Sequence, residues 1–230
     1  MIEIIKSSER GKTKLNWLDS KHTFSFGRYN NPKRTNFGDL IVFNEDVVSP
    51  GKGFGAHPHE NAEIVSLVLK GKLKHEDSKG NKGIIGEGEL QRISAGSGIW
   101  HSEYNASDKN SVHFLQIWLE PKELNVEPSY EQKKYSSMKK NSFNLIVGDK
   151  KGVISINQDA RFFLGEFSSG FEFNHLILDN KLGYLFVIEG KIELDNLDLE
   201  NGDSVLISNI KEFSMKVKEN SKILFIELKR

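Results

Sequence analysis

The chain has 230 residues, with 32 basic and 32 acidic side chains and a formal net charge of zero. This length suits one large or two modest β domains, and the balanced charge argues against a dedicated nucleic-acid-binding protein, which usually carries a basic excess or stripe. The absence of cysteine excludes disulfides, zinc–thiolate sites, cysteine-ligated iron–sulfur clusters and thiol catalysis. A redox function would therefore require a bound metal or another cofactor.

The sequence shows neither a secretion signal nor a membrane span. The opening segment MIEIIKSSERGK lacks the charged start, apolar core and cleavage site of a signal peptide. No apolar run approaches the length that a membrane-spanning helix needs. We therefore expect a cytoplasmic protein.

The first half of the chain, residues 1–120, is predicted to consist of short β-strands. Its β-branched and aromatic runs are separated by Gly, Asn and Asp turn signals, of which Asp77–Asn81 is a strong one. The pattern shows no long amphipathic helix. The predicted strands are His22–Phe26, Leu40–Phe43, Ile64–Leu69, Leu73–Glu76, Leu90–Ile93 and His113–Leu119.

Two polar segments in this half have the spacing of a metal site built on strands. His57 and His59 lie two residues apart, so both side chains point to the same face of a strand. His101 and Glu103 repeat that spacing on a second segment. Two such pairs facing each other would surround one ion with three imidazoles and one carboxylate, a set that suits a divalent transition metal and iron chemistry. Glu63 is in phase with His59, so spacing alone leaves open which glutamate is the fourth ligand.

The remaining histidines and several aromatic residues are given a structural interpretation. An isolated histidine in a strand is usually a hydrogen-bonded polar residue, and this applies to His22, His75, His113 and His175. A flavonoid-sized pocket could be lined by some of the aromatic side chains, although core packing accounts for most of them. The aromatic candidates are Phe24, Phe26, Phe43, Phe54 and Trp118.

The second half is predicted to repeat the β-rich pattern after a linker. Residues 121–141 are polar and rich in Lys and Glu, and they are predicted to be a linker with a short helical turn. The segment Ile64–Leu73 parallels Tyr184–Ile192, which indicates two divergent copies of one β-barrel unit of the sandwich or jelly-roll type. The predicted strands are Phe143–Val147, Val153–Asn157, Arg161–Glu166, Phe171–Leu178, Tyr184–Glu189, Lys191–Leu194, Ser204–Ile207, Phe213–Val217 and Lys222–Leu228.

Long collinear strings across the chain resemble the pirin family of the cupin superfamily. The strings are FSFGRY (24–29), NEDVV (44–48), GKGFGAHPH (51–59), HEDSKGN (75–81), SAGSGIWHSE (94–103) and INQDA (156–160). The resemblance implies an all-β bicupin, with two tandem jelly-roll barrels. The expected domains are a metal-binding N-terminal cupin over 1–120, a linker over 121–141 and a C-terminal cupin without metal ligands over 142–230.

The resemblance also implies a ligand set and a cofactor. Its metal ligands correspond to His57, His59, His101 and Glu103. The metal is expected to be Fe(II), with Ni, Co, Mn, Zn and Cu as alternatives. Glu63 then becomes a hydrogen-bonding partner of a ligating histidine or an interior residue near the pocket, and either Glu103 or Glu63 could serve as the catalytic base.

Two functions follow from the resemblance, and the third possibility is a purely structural metal. Some bacterial pirins have quercetin 2,3-dioxygenase activity, so we expect a monomeric enzyme that cleaves the ring of a flavonol-like substrate with O2. Eukaryotic members act as iron-dependent cofactors of transcription regulators, so the alternative is an iron-binding redox sensor that binds a protein partner without turnover. A degenerate cupin with a structural metal is the third hypothesis.

Overall fold

The computed structural model describes residues 1–135 and 138–230, and their regular structure is almost entirely antiparallel β. Ser136 and Ser137, which belong to the predicted linker, lie outside the described residues. A 3-10 turn covers Ser7–Glu9. The strands are β1 (Ile2–Ile5), β2 (Gly11–Lys14), β3 (Leu18–His22), β4 (Leu40–Val48), β5 (Gly53–His59), β6 (Glu63–Lys70), β7 (Lys72–Asp77), β8 (Lys82–Gly86), β9 (Glu89–Ser94), β10 (Ile99–Asn105), β11 (Val112–Leu119), β12 (Ser129–Lys134), β13 (Phe143–Val147), β14 (Arg161–Phe167), β15 (Glu172–Leu176), β16 (Lys181–Glu189), β17 (Lys191–Leu194), β18 (Leu197–Glu200), β19 (Ser204–Ile207), β20 (Glu212–Val217) and β21 (Ser221–Lys229).

The chain divides into two compact units, each of which contains two antiparallel sheets. The N-terminal barrel comprises Gly11–Ser136 and Ile156–Gln158, and the C-terminal barrel comprises Met1–Arg10, Ser137–Ser155 and Asp159–Arg230. In the N-terminal barrel the sheet orders are β12-β9-β6-β11-β4-β3-β2 and β5-β10-β7-β8. In the C-terminal barrel they are β1-β19-β16-β21-β14-β13 and β15-β20-β17-β18.

Each barrel buries its apolar residues between its own two sheets. In the N-terminal barrel, Val112 and Phe114 of β11 pack with Leu73 of β7, from the opposite sheet. In the C-terminal barrel, alternation along β20 buries Phe213 and Met215 and leaves the intervening side chains exposed. Burial of one such side chain stabilises the fold by about 1.5–3 kcal/mol. This two-sheet packing is the all-β architecture that the strand pattern predicts.

The first residues of the chain belong to the C-terminal barrel, which differs from the predicted domain bounds of 1–120. β1 pairs antiparallel with β19, from Ile2 opposite Ile207 to Ile5 opposite Ser204. The added strand covers an edge of the six-stranded sheet that would otherwise expose unpaired backbone groups. No local pattern predicts this exchange, because the partners are about two hundred residues apart in the sequence.

The predicted linker also contains regular structure. β12 pairs with β9 and extends the larger sheet of the N-terminal barrel, with Tyr130 opposite Ile93 and Gln132 opposite Gln91. The predicted helical turn is not found in 121–135 or 138–141, the described part of that segment. Pairing with β9 explains why this polar segment is a strand, because β9 supplies the backbone hydrogen-bonding partners. The local sequence gives no indication of that pairing.

Two predicted strands do not form. The chain leaves β3 at His22, and the hydroxyl of Ser25 bonds to the backbone of Asn31, which closes a loop instead of a strand. The segment Val153–Asn157 contributes only an isolated bridge between Val147 and Ile154. In the described part of the chain, no helix is long and apolar enough to cross a membrane.

Candidate metal centre

β10 carries two of the four predicted ligands in the middle of the four-stranded sheet. It lies between β5 and β7, with His101 opposite His57 on one side and Glu103 opposite His75 on the other. Strand alternation buries His101 and Glu103 and leaves their neighbour Trp100 56% exposed. The register of β5 and β10 shifts between His101 and Glu103, which marks an irregularity at the centre itself.

The three predicted histidine ligands lie together on the inner face of this sheet. The ring centroids of His57 and His101 are 4.4 Å apart, and His59 lies 4.8 Å from each of the other two. One nitrogen from each ring lies within 4.8 Å of the others. His101 is buried, whereas His57 and His59 are half-buried, so the cluster opens toward solvent on the β5 side.

The nitrogens of this cluster fit a metal ion. Nε2 of His59 and both ring nitrogens of His101 are buried and have no hydrogen-bond partner. Buried polar atoms are normally paired, so the unpaired Nε2 of His59 and one ring nitrogen of His101, which lie close together, require another partner. A divalent transition metal accepts lone pairs from imidazole and would satisfy them.

The electrostatics keep two of these rings uncharged. Burial and the neighbouring His101 and His57 lower the pKa of His59 to about 4. Burial and the neighbouring His57 and His75 lower the pKa of His101 to about 3. Both rings are therefore neutral near pH 7, the form in which imidazole binds a metal.

One hydrogen bond fixes the tautomer of His57. Its Nδ1 lies 2.7 Å from the carbonyl oxygen of Gly55. Because a carbonyl only accepts, Nδ1 carries the proton in this contact, and Nε2 keeps its lone pair. Such a bond on the far nitrogen is what orients metal-ligating histidines.

A row of polar side chains on the larger sheet holds the carboxylate of Glu103. Gln91 Nε2 donates to Glu103 Oε1 over 2.5 Å, and Gln116 Nε2 donates to Oε2 over 2.7 Å. Ser66 lies between the two glutamines in the strand register and accepts a bond of 3.0 Å from Gln91. All of these side chains are buried, so Glu103 is fixed in one orientation.

His75, which the sequence assigned a structural role, lies beside the predicted ligands. His75, His101 and Glu103 form a second group whose ligand atoms lie within 4.8 Å of one another. Nε2 of His75 is 3.0 Å from Oδ2 of Asp77, and its ring stacks on Tyr130 at 4.5 Å. The signal in the sequence was the spacing of His75 and Asp77, which matches that of the other ligand pairs.

The pairing of His75 with Asp77 fixes which ring nitrogen of His75 donates. Burial opposes ionisation of Asp77, but hydrogen bonds from His75 and Asn81 outweigh it and lower the pKa of Asp77. The ionised carboxylate only accepts, so Nε2 of His75 donates. Nδ1 of His75 is buried without a hydrogen-bond partner.

The structure does not bring Glu63 to the histidines. Ser66 faces Glu103, and Glu63 lies three residues away on the same strand, so it points to the opposite face of the sheet. Its Oε2 accepts bonds of 2.9 Å from Ser94 Oγ and 3.2 Å from the backbone of Asn157. Burial raises the pKa of Glu63, and these hydrogen bonds partly offset that effect.

Aromatic side chains line one side of the cluster. The ring of Trp118 lies 4.7 Å from that of His59, nearly perpendicular to it, and Phe26 lies 5.6 Å from Trp118. Phe24 and Phe43 are instead fully buried in the core. Ring contacts therefore connect Phe26 and Trp118 to His59.

Comparisons with known proteins agree with the fold. The family model described as Pirin matches residues 5–119, and that of the quercetinase C-terminal cupin domain matches residues 146–228. A quercetin 2,3-dioxygenase of Escherichia coli K12 is 35% identical over 228 residues, which cover 99% of each chain. The crystal structure of Escherichia coli YhhW is 34% identical, with a TM-score of 0.96 over 99% of this chain and 97% of that one. The nickel(II) complex of the same bacterial pirin has a TM-score of 0.95 at 34% identity and covers 100% and 99% of the two chains. The chain therefore belongs to the pirin family, and its fold is the bicupin fold of that family.

Proposed function

We propose that this chain is a metal-dependent dioxygenase that cleaves a flavonol-like substrate with O2, as the name of the Escherichia coli quercetin 2,3-dioxygenase suggests. The observation that carries the proposal is the set of buried, unpaired nitrogens on His59 and His101, next to the fixed carboxylate of Glu103. The proposed ligands are His57, His59, His101 and Glu103. They fall into two overlapping groups that share His101.

The proposed metal is Fe(II), and nickel is supported by the complex of the related pirin. A divalent metal held here would supply Lewis acidity toward a substrate oxygen and a partner for dioxygen. The other contributions come from the chain itself. The neutral histidines leave their lone pairs free for the ion, and Trp118 and Phe26 offer a flat apolar surface for an aromatic ring.

Glu103 is the proposed catalytic base. It lies among the proposed ligands, whereas Glu63 faces the other side of its strand. A base must lie within hydrogen-bonding reach of the proton it takes, which favours Glu103 for the substrate hydroxyl. Gln91 and Gln116 keep the carboxylate in place while it accepts the proton.

Metal content and oxygen uptake test this proposal. Elemental analysis should find about one metal per chain in the native protein and little in the His57→Ala/His101→Ala protein. Iron, nickel, cobalt and manganese forms should then be assayed for oxygen uptake with quercetin, and at least one should turn over. A set of loaded forms that all leave quercetin and oxygen unconsumed would refute the dioxygenase proposal.

A redox sensor is the second candidate, and one observation favours it. The outer face of β10 exposes Trp100, directly before the proposed ligand His101, and Tyr104, directly after the proposed ligand Glu103. A partner protein that docks there would contact the strand that holds the metal. One metal per chain without turnover, together with partner binding that differs between Fe(II) and Fe(III), would support the sensor. Equal binding in both oxidation states would exclude it.

A further inference from the structure

The C-terminal barrel has a histidine at the place that corresponds to the metal centre. Its four-stranded sheet β15-β20-β17-β18 has the same connectivity as β5-β10-β7-β8. In that sheet His175 of β15 lies opposite Phe213 of β20, as His57 lies opposite His101. The strand corresponding to β5 is therefore β15.

The other ligand positions have become apolar. Met215 lies opposite Leu194, as Glu103 lies opposite His75. Ile177, two residues after His175, takes the place of the second histidine of β5. The polar row that holds Glu103 changes in the same way, because Val205, Leu185 and Phe225 lie across the larger sheet where Gln91, Ser66 and Gln116 do in the N-terminal barrel.

The surroundings of His175 are aromatic and open. Its ring lies 4.9 Å from Phe225, 5.0 Å from Phe143 and 5.3 Å from Phe213. Phe163 pairs across the sheet with Phe225, which belongs to the core, so its side chain faces the barrel interior. Phe143, Phe163 and His175 nevertheless remain half-buried, so solvent reaches this interior. An accessible end lined by aromatic side chains is the kind of mostly apolar surface on which small aromatic ligands bind.

The lining carries one unpaired polar atom and no net charge. Nε2 of His175 is buried without a hydrogen-bond partner. Burial and the nearby Arg161 lower the pKa of His175 to about 4, so the ring is neutral near pH 7. The guanidinium of Arg161 lies over the ring of Phe163 and donates through Nε to the buried carboxylate of Glu227 over 2.7 Å, which balances its charge.

We propose that the C-terminal barrel binds an uncharged planar molecule of the phenol class. The phenylalanines would pack against its ring, and Nε2 of His175 would form a hydrogen bond with its hydroxyl. The balanced charge of Arg161 and Glu227 disfavours an anionic ligand such as an aromatic carboxylate. The site lies in the other barrel from the metal centre, and it stands whether or not the proposed dioxygenase activity does.

Calorimetric titration of the full chain with 2-naphthol tests the proposal. The background is the His57→Ala/His101→Ala protein, so that the metal centre does not contribute. We expect one 2-naphthol per chain, about tenfold weaker binding in a further His175→Phe variant because one hydrogen bond is lost, and weak binding of 2-naphthoate. His113→Phe is the matched control, since His113 lies in the N-terminal barrel and pairs with Glu45.

A second variant keeps the test independent of the first. Phe163→Trp adds volume to the open interior, and it should abolish 2-naphthol binding while circular dichroism shows a folded chain. Three results would overturn the proposal: no saturable binding of 2-naphthol, equal affinity in the native C-terminal barrel and in His175→Phe, or tighter binding of 2-naphthoate than of 2-naphthol. A change caused equally by His113→Phe would count against it as well.

Discussion

At the scale of single residues, the orientation of Glu103 depends on two amide donors. Gln116→Leu removes one of them, so the carboxylate gains freedom and loses its fixed position beside His101. We expect metal affinity to fall by about 10–100-fold, the usual effect of losing a residue that orients a ligand. Competition with a chromophoric chelator measures this change.

The control for this substitution lies at the end of the same polar row. Gln132 is opposite Gln91 on β12, but it bonds to Ile84 and Glu89 instead of Glu103. Gln132→Leu should leave metal affinity within about twofold of the native value, since it removes no bond to a proposed ligand. Equal losses in the two variants would mean that general loosening, and not the orientation of Glu103, sets the affinity.

Protonation of the buried histidines should make the metal-free protein sensitive to acid. The folded-state pKa of His101 is about 3, below its ordinary value of 6.5. A lowered pKa contributes stability above the unfolded pKa, and this contribution is lost as the pH falls from about 6.5 toward the folded value. For a residue buried like His101 the full effect is on the order of 3–5 kcal/mol.

Urea unfolding of metal-free protein between pH 7 and pH 4.5 measures this loss. In His101→Phe the free energy of unfolding should depend less on pH, because the titrating group is gone and Phe213 occupies the corresponding position in the C-terminal barrel. His59 and His175, whose pKa values are also lowered to about 4, keep part of the dependence in that variant. An unchanged pH slope would refute the assignment to His101.

The sequence predicted the two ligand pairs but not their neighbours. The pairs His57 and His59 and His101 and Glu103 could be found because strand alternation acts over two residues. The position of His75 beside the metal centre was not predicted, because it depends on the register of β7 with β10. Spacing from His59 could not reveal that Glu63 faces away, since the chain passes from one sheet to the other between β5 and β6.

At the scale of elements, β5 and β10 approach most closely at Gly53. A Cβ atom on Gly53 would lie 2.2 Å from the carbonyl oxygen of Glu103 and 2.5 Å from Cα of Tyr104. Gly53→Ala should therefore push β5 away from β10, lower metal affinity at least tenfold and destabilise the fold by about 1–3 kcal/mol. Metal titration and thermal unfolding of the variant test this.

Gly55 on the same strand supplies the control. A Cβ atom there would meet only the hydroxyl of Tyr104 at 3.6 Å, an ordinary contact. Gly55→Ala should bind metal as the native chain does. If Gly53→Ala did so too, the close approach of the strands would not matter for the site.

β1 contributes one fully buried side chain to the fold. Ile5 is fully buried at the end of β1, and Ile5→Ala should lower the free energy of unfolding by about 2–4 kcal/mol through the cavity it leaves. Glu3 is exposed on the same strand, so Glu3→Ala should change the free energy of unfolding by no more than about 0.5 kcal/mol. Denaturant unfolding distinguishes the two, and similar values would argue against a packing role for β1.

The ends of some strands could be predicted from the local sequence pattern alone. β13, β17 and β19 begin and end where alternation and turn residues predict. β1 and β12 were missed because their short or polar sequences become strands through pairing with β19 and β9. The hydrogen-bond partner decides the conformation of such segments, and it lies far away in the sequence.

At the scale of the whole molecule, comparison of the two barrels separates the features that form the fold from the residues that form the metal site. Both barrels keep the same order of strands in the smaller sheet and the same Gly-Lys turn at Gly71 and Gly190. The N-terminal barrel combines this frame with a buried polar row, which is costly unless each group is bonded, whereas the corresponding residues described in the C-terminal barrel are apolar. The repeat was visible in the sequence, whereas the contrast between the polar and apolar rows emerges only from the strand registers.

The pairing of β1 with β19 has a consequence for synthesis on the ribosome. Ile2–Ile5 is the first strand to emerge, but its partner ends at Ile207, so at about 5–20 residues per second the two meet roughly 10–40 s later. Once Lys134 has emerged, the N-terminal barrel has all of its strands, while β1 still waits with unpaired backbone groups. The C-terminal barrel is therefore closed by the oldest part of the nascent chain, and a ribosome-bound chain that ends before β19 should leave this strand open to proteases or chaperones.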